Sequence, residues 1–381
     1  MTGADAAAAA WLAKLPAGER AAAHAYTDWR LLIWCLGGLV LVGACLALAR
    51  TGAIRRLTSA IPASGRRPWL ADAAAAGLVA PILASLNGLV DAVAHWRADQ
   101  ILGRGGPALA ARLGQALIGV APIVIAAVLL VPLALWLMRR LPRAWPAIVG
   151  AAATLAIVAA IWLPYALCVG PPSTPLPPGP MRIGLMQLIA DAGLPASDVH
   201  LASDPGFDSD VNGGFGHAKV TIGPQMAAGP VAEARAMIGH IMGHWAHGDI
   251  LAVSLVLGAA MLAGCFAIAW FAAPLARRIG GDQITGPGDP AALPAAAIIL
   301  ILSFAVAGLA EAGYLRWANV RADAFSLDHA REPDGLAAVL EREWDHQSVD
   351  PSAIEEALFY THPAMTGRIR HAMAWKAAHG V

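Results

Sequence analysis

Long uncharged stretches alternate with short arginine-containing segments along much of the chain. A helix needs about 20 consecutive apolar residues to cross the hydrocarbon core of a bilayer. We therefore predict six membrane spans, at residues 31–49, 73–90, 116–138, 144–169, 250–276 and 290–310. The second stretch is the shortest and contains Pro81 and Asn87, so a re-entrant segment is the alternative interpretation there.

Two polar regions flank the last pair of spans. The first, residues 170–249, opens with a proline-rich linker at 171–180. The residue pattern of this region predicts helices at 181–192 and 230–248 and strands at 199–202 and 218–222. A turn at Asn212, Gly213 and Gly214 leads into the second strand. The second polar region covers residues 311–381. Because two crossings separate these regions, they lie on the same side of the bilayer and can share a site.

These patterns predict a mainly α protein, a multi-span helical membrane protein that carries a small α+β domain. We divide the chain into an N-terminal segment at 1–30, a membrane region of about four spans at 31–169, a soluble part at 170–249, a membrane hairpin at 250–310 and a second soluble part at 311–381. The first segment lacks the pattern of a secretory signal, so we expect it to be retained.

The composition excludes two classes of protein. With 58% hydrophobic and 14% charged residues and a mean hydropathy of +0.59, the chain is too apolar for a water-soluble globule. Lys and Arg together number 26, as do Asp and Glu, so no excess of positive charge favours nucleic acid as a partner. Arginines are frequent both at 50–67 and after the last span, so charge does not fix the orientation in the membrane.

The helix at 230–248 contains a pair of histidines with metal-ligand spacing. His240 and His244 lie four residues apart, on one face of the helix, so both imidazoles can reach one metal ion. A hydrogen-bonded pair without metal is the alternative. In zinc peptidases a glutamate follows the first histidine and takes a proton from the attacking water, but here this position is Ile241. His247 is too far along the helix to bind the same ion. It is expected to contact one of the metal-ligating residues or to face solvent.

The order of the motifs resembles the CAAX prenyl protease family of integral-membrane zinc metallopeptidases. Four features carry the resemblance: His240 to His244 followed by Gly248-Asp249, two spans, the helical segment 316–325, and His362-Pro363 with Arg368. The resemblance covers roughly residues 90–375 and implies a gluzincin-like peptidase domain in the polar regions.

The family resemblance implies a role for each of these positions. In this register Asn319 holds the position where the family has a glutamate as third zinc ligand, and Asp323 is a carboxylate partner of a ligating histidine. His362 and Arg368 lie near the site, where the histidine stabilises an oxyanion or closes the pocket. A surface histidine at the start of a C-terminal helix is the alternative interpretation. Asn212, Gly213 and Gly214 correspond to the strand along the substrate groove.

The two replaced glutamates determine the expected function. Ile241 has no acid–base chemistry, and the neutral amide of Asn319 is a poorer zinc ligand than a carboxylate. We therefore expect a catalytically impaired pseudo-protease with a weakened or absent zinc site, which binds a membrane protein or peptide in the lipid bilayer. The alternative is an active zinc endopeptidase with a rearranged site that uses Asp323 or another carboxylate as ligand or base. The family implies a bacterial inner membrane with the peptidase-like domain in the cytoplasm.

Overall fold

The computed structural model describes residues 3–61, 67–281, 283–342 and 348–380. The described residues form two compact units. The mixed unit contains helices and a sheet and is built from residues 1–24, 156–256 and 309–381; the helical unit is built from residues 25–155 and 257–308.

Helices account for most of the described chain. In chain order they are α1 Gly3–Leu12, α2 Ala17–Thr51, α3 Ala53–Ser59, α4 Pro68–Ile101, α5 Leu109–Arg140, α6 Trp145–Ala166, α7 Pro180–Asp191, α8 Pro224–Ala227, α9 Val231–His247, α10 Asp249–Gly280, α11 Leu293–Ala330, α12 Pro333–Arg342, α13 Ala353–Phe359 and α14 Met365–His379. The predicted mainly α fold is confirmed.

The six predicted membrane spans are also confirmed. They correspond to α2, α4, α5, α6, α10 and α11, each long and apolar enough to cross a bilayer. The chain is therefore an integral membrane protein. Most of these helices extend beyond the apolar stretch, because the polar residues at the ends continue the helix. The extension matters most in α11, which runs to Ala330 and carries Asn319 and Asp323.

The mixed unit contains a four-stranded sheet with strand order β1-β2-β4-β3. Its strands are β1 Ser173–Pro175, β2 Val199–Ala202, β3 Asp210–Gly214 and β4 His217–Ile222. β2 and β4 are parallel, whereas β1 with β2 and β3 with β4 are antiparallel. The strands predicted at 199–202 and 218–222 are present. β1 was not predicted, because its segment is rich in proline; it lies at the edge of the sheet, where proline is tolerated.

The turn predicted at Asn212, Gly213 and Gly214 was wrong, since these residues belong to β3. The turn lies at Phe215-Gly216, where both residues have positive φ angles of 53° and 85°. Positive φ at both central residues is the geometry of a tight two-residue hairpin, whose twist matches that of the flanking strands.

Apolar side chains attach the sheet to α7 and α9. Leu185 and Leu188 of α7 and Ile238 of α9 are fully buried. They form one core with Val211 of β3 and Val220 of β4. This core places α9, the helix with the histidine pair, directly on the sheet.

A second core attaches α1 to α12 and α14. Ala8 and Leu15 from the N-terminal segment are buried with Leu336 of α12 and Ile369 of α14. An ion pair between Asp5 and Arg370, at 3.0 Å, adds to this contact. Residues 3–24 are therefore an integral part of the mixed unit.

Two glycines allow α9 to approach α11 closely. A Cβ atom on Gly239 would lie 3.0 Å from Ser326 Oγ, and one on Gly243 would lie 2.8 Å from the backbone Cα of Ala322. The hydroxyl of Ser326 donates a hydrogen bond of 2.6 Å to the carbonyl of Ala236. The absence of side chains at these two positions of α9 thus sets the distance between the helices.

We expect Gly243→Ala to destabilise the protein by about 1–3 kcal/mol, because the added methyl meets backbone that cannot move aside. Gly367→Ala is the matched control, since a Cβ atom at this helical position of α14 meets nothing within 4 Å. That exchange is expected to stabilise by roughly 0.5–1 kcal/mol. Thermal unfolding in detergent measures both changes. Equal shifts for the two variants would contradict the close helix contact.

Candidate metal centre

The two histidines of α9 and one amide of α11 converge on a single point. His240 Nε2 and His244 Nε2 lie 3.2 Å apart, and Asn319 Oδ1 lies 3.3 Å from His244 Nε2. The imidazole rings are nearly perpendicular, with an angle of 84° between their planes. His240 and Asn319 are buried, 6% and 2% exposed. Three potential ligand atoms therefore face one another in the interior of the mixed unit.

The orientation of the Asn319 amide is fixed by its own hydrogen bonds. Its Nδ2 group donates to the carbonyl of Leu315 at 2.8 Å and to the carbonyl of Thr361 at 3.2 Å. Both amide hydrogens thus have acceptors, and a flipped amide would place its oxygen against two carbonyls. The oxygen consequently faces the imidazoles, which is the orientation a metal ligand requires.

A carboxylate on α11 holds the first histidine. Asp323 Oδ1 lies 2.8 Å from His240 Nδ1, and both oxygens of Asp323 accept hydrogen bonds of 2.7 Å from Arg368 on α14. Burial lowers the pKa of His240, although the Asp323 carboxylate opposes this shift. The neutral imidazole is the form that binds metal. Asp323 fixes the ring with Nε2 directed at the convergence point.

A second carboxylate holds the second histidine. Asp249 Oδ2 lies 2.8 Å from His244 Nδ1. Its other oxygen accepts hydrogen bonds of 2.7 Å from the hydroxyl of Tyr314 and from Arg321, both on α11. Gly248, with φ of 67°, separates α9 from α10 and turns the chain so that Asp249 points back at His244. Both imidazoles are therefore anchored in the same way.

Sequence reasoning missed Asp249, Tyr314 and Arg321 as parts of this centre. The signal for Asp249 was present, since a glycine in the left-handed conformation brings the following carboxylate back towards the last turn of the helix. Tyr314 and Arg321 lie seven residues apart, on one face of α11. That spacing alone is too common to indicate a site.

The converging atoms fit a zinc ion. Zinc binds imidazole nitrogen at about 2.0–2.1 Å in tetrahedral geometry, which separates neighbouring ligand atoms by roughly 3.3 Å. The observed separations are 3.2 and 3.3 Å. Within the described ranges, however, no three His, Cys, Asp or Glu side chains form a metal-binding group. A zinc ion at this point would be bound by two neutral imidazoles and a neutral amide, a set that holds zinc less tightly than one with a carboxylate.

A cavity of 560 Å³ opens beside the two imidazoles. His240, His244 and Ile241 form part of its wall, with His362 and Arg368 facing it from the C-terminal region. Much of the remaining lining is apolar, contributed by Phe207, Met226, Met237, Leu336, Val339, Leu340, Pro363 and Met365. Such a cavity suits an apolar side chain placed next to the metal centre.

Ile241 directly follows His240, at the position where the H-E-x-x-H motif of zinc peptidases has a glutamate. Its side chain is partly buried, lines the cavity, and packs on the core between the sheet and α9. Desolvation in the cavity and the positive charge of Arg368 lower the pKa of His362, so that this imidazole is neutral at pH 7. Among the described residues that line the cavity, Asp208 is the only one with a carboxylate, and its side chain is exposed at the rim.

The other predicted site residues lie outside the cavity lining. His247 is exposed, and its Nδ1 lies 2.6 Å from the carbonyl of Gly243, so its ring is held by its own helix. Asn212, Gly213 and Gly214 form most of β3, one of the two edge strands of the sheet. The carbonyl of Gly213 accepts a hydrogen bond of 3.2 Å from the indole of Trp245, which ties the edge strand to α9.

The matched region of a known family contains this centre. Residues 226–376 match the model of the family described as Peptidase family M48. We call this stretch, about two fifths of the chain, the M48 segment. The M48 segment holds the histidine pair, Asn319, Asp323 and Arg368, and most of the cavity wall. The resemblance to membrane metallopeptidases that the motifs indicated is therefore confirmed.

The fold outside the M48 segment also has a counterpart. The crystal structure of S. mikatae Ste24p superposes with a TM-score of 0.54 over 91% of this chain and 99% of that chain, at 11% identity. This likeness concerns the fold and extends the match to the membrane helices. A comparison with curated protein sequences found no match.

Proposed function

We propose that the protein is a pseudo-protease, a membrane metallopeptidase homologue that holds its metal weakly and binds a peptide or membrane protein without cutting it. One observation carries this proposal. The histidine pair keeps its ligand geometry and both carboxylate anchors, yet the side chain next to it in the cavity is the aliphatic Ile241. A general base contributes about 10²–10⁴ to the rate of such a reaction.

His240, His244 and Asn319 are the residues that would hold a zinc ion. Bound there, zinc would act as a Lewis acid and polarise a carbonyl group of the bound peptide. The protein itself supplies the orientation of the ligands through Asp323 and Asp249, and an apolar cavity that excludes water from the bound side chain. Without a base, these groups support binding and not hydrolysis.

The alternative is an active endopeptidase in which Asp323 serves as ligand or base. The hydrogen bonds of Asp323 argue against it. One oxygen contacts the far nitrogen of His240, both contact Arg368, and the side chain is 2% exposed. To reach the convergence point, Asp323 would have to leave a buried arginine unpaired, which is costly.

Zinc content and cleavage, measured on the same preparation, test the proposal. We expect about one zinc per chain in protein purified in detergent with zinc supplied, since two histidines and an oriented amide would supply three ligands and leave the fourth position open. We expect no zinc in a His240→Ala/His244→Ala variant, and the same background rate of peptide cleavage in both proteins.

Two results would contradict the proposal in different ways. Cleavage by the parent protein above the rate of the double variant would establish an active peptidase. An equal absence of zinc from both proteins would remove the metal centre and leave a peptide-binding fold. Asn319→Leu, of similar volume, is expected to lower the zinc affinity roughly 10- to 100-fold through loss of one ligand and its orientation.

The partners follow from the surroundings of the centre. The bilayer is one partner, given the six apolar helices. The apolar cavity and the edge strand of the sheet suit an extended peptide segment of a membrane protein. We further propose, from the family resemblance, that the M48 segment faces the cytoplasm at a bacterial inner membrane.

A further inference from the structure

We propose that the tip of the β3–β4 hairpin is a membrane-contact element that lies in the interfacial layer of the bilayer. The tip consists of Phe215 and Gly216, between β3 and β4. Phe215 is 71% exposed, although it is the most apolar residue of the hairpin loop. Its φ angle of 53° is a conformation that side-chain-bearing residues rarely adopt. A contact with apolar groups outside the protein would stabilise an exposed ring held in this conformation.

The tip packs on the end of a membrane span. The ring of Phe215 lies 5.5 Å from that of Trp162 in edge-to-face geometry, and Trp162 belongs to the last turns of α6. Behind the ring, Gly214 fits against Ala166, since a Cβ atom on Gly214 would lie 2.9 Å from Ala166 Cβ. The hairpin is therefore fixed to the point where α6 leaves the membrane.

The surface around the tip continues the lipid-facing surface of α6. Leu167 and Val169, which follow the helix directly, are 54% and 63% exposed. Leu163, one turn before the helix end, is 39% exposed. These three residues belong to the helix end on which Gly214 and Phe215 pack, and we refer to them together with Phe215 as the apolar patch. Tryptophan and other aromatic rings are enriched at the boundary between lipid and water.

This continuity identifies the occupant of the patch as lipid. A protein partner would have to cover side chains that already border the acyl region of a span. Lys219 on β4, close to the tip in sequence, is a cation of the kind found at the level of lipid headgroups. The bilayer interface accounts for the patch without another component.

Photo-crosslinking to lipid tests this proposal with the full chain in nanodiscs. The phenylalanine analogue p-benzoylphenylalanine at position 215 is expected to form lipid adducts on irradiation, detected by mass spectrometry of the purified chain. Position 354 is the matched control, because Ile354 is also 71% exposed and lies on α13 of the same unit. Position 129 on α5 is the positive control, since Leu129 is 68% exposed on a span.

The expected result is a lipid adduct yield at position 215 close to that at 129 and at least several-fold above that at 354. A yield at 215 equal to that at 354 would overturn the proposal, as would a protein adduct in place of lipid when the experiment is done in native membranes. Because zinc and cleavage are not measured, failure here is independent of the pseudo-protease proposal. The Phe215→Leu variant, read by melting temperature, checks that a change at the tip leaves the fold intact.

Discussion

Ile241→Glu is expected to raise the rate of peptide hydrolysis by about 10²–10⁴ over the parent protein, the usual contribution of a general base. The side chain at position 241 lines the cavity next to both imidazoles, so a carboxylate there would lie beside the metal and the bound peptide. The neighbouring groups are already in place, since both histidines are anchored by carboxylates. Cleavage of a fluorogenic peptide by zinc-loaded protein in detergent measures the gain.

Two controls separate this gain from a change in folding. Ile241→Gln has the same shape as the glutamate variant but no base, so it is expected to cleave at the parent rate. Combining Ile241→Glu with Asp208→Asn removes the other carboxylate that lines the described cavity, and the gain should persist. No gain in Ile241→Glu with zinc bound would mean that the cavity does not present a peptide to the metal.

Asp323→Ala is expected to lower the free energy of unfolding by about 3–5 kcal/mol, the typical cost of breaking a buried ion pair. Asp323 is 2% exposed and balances the guanidinium of Arg368, whose side chain is 11% exposed. Its removal leaves that charge unpaired and releases the Nδ1 atom of His240. Reversible unfolding in mixed micelles measures the loss, and zinc affinity should fall in parallel.

Asp328→Asn is the matched control on the same helix. Asp328 is exposed and accepts a hydrogen bond of 2.9 Å from the indole of Trp375, so the exchange is expected to cost less than about 1 kcal/mol. The double variant Asp323→Leu/Arg368→Met should recover most of the stability, because no unpaired charge remains. If Asp323→Ala lowered the free energy of unfolding no more than Asp328→Asn does, the hydrogen bonds around His240 would not contribute to the stability of the fold.

The spans and the histidine helix were predictable because each rests on a local pattern. An apolar stretch long enough to cross a bilayer identifies α5 or α10 without knowledge of any other element. The spacing of His240 and His244 on one helix likewise needs no tertiary information. For the same reason β2 and β4 were predicted at nearly the observed bounds, and β4 ends in the β-branched residues Val220, Thr221 and Ile222.

The remainder of the site depends on contacts between distant segments. Asp249 can contact His244 only because the left-handed conformation of Gly248 turns the chain back. Tyr314 and Arg321, on another helix, donate hydrogen bonds to Asp249. The glycine-rich strand β3 carries the composition of a turn, and its pairing with β4 overrides that local preference. The orientation of the Asn319 amide is set by the carbonyl of Thr361, forty-two residues away.

The length of β3 sets a minimum length for a client peptide. Ser209 lines the cavity, and six residues further along the chain Phe215 lies at the tip of the hairpin. At about 3.4 Å per residue, the six steps from Ser209 to Phe215 span roughly 20 Å. With the tip at the bilayer surface, a peptide bound beside β3 as proposed would need about six extended residues before a side chain reaches the cavity. The protein should therefore select peptides by the number of residues between the membrane and the side chain to be bound. A peptide with fewer than about six such residues should not bind, whatever its sequence.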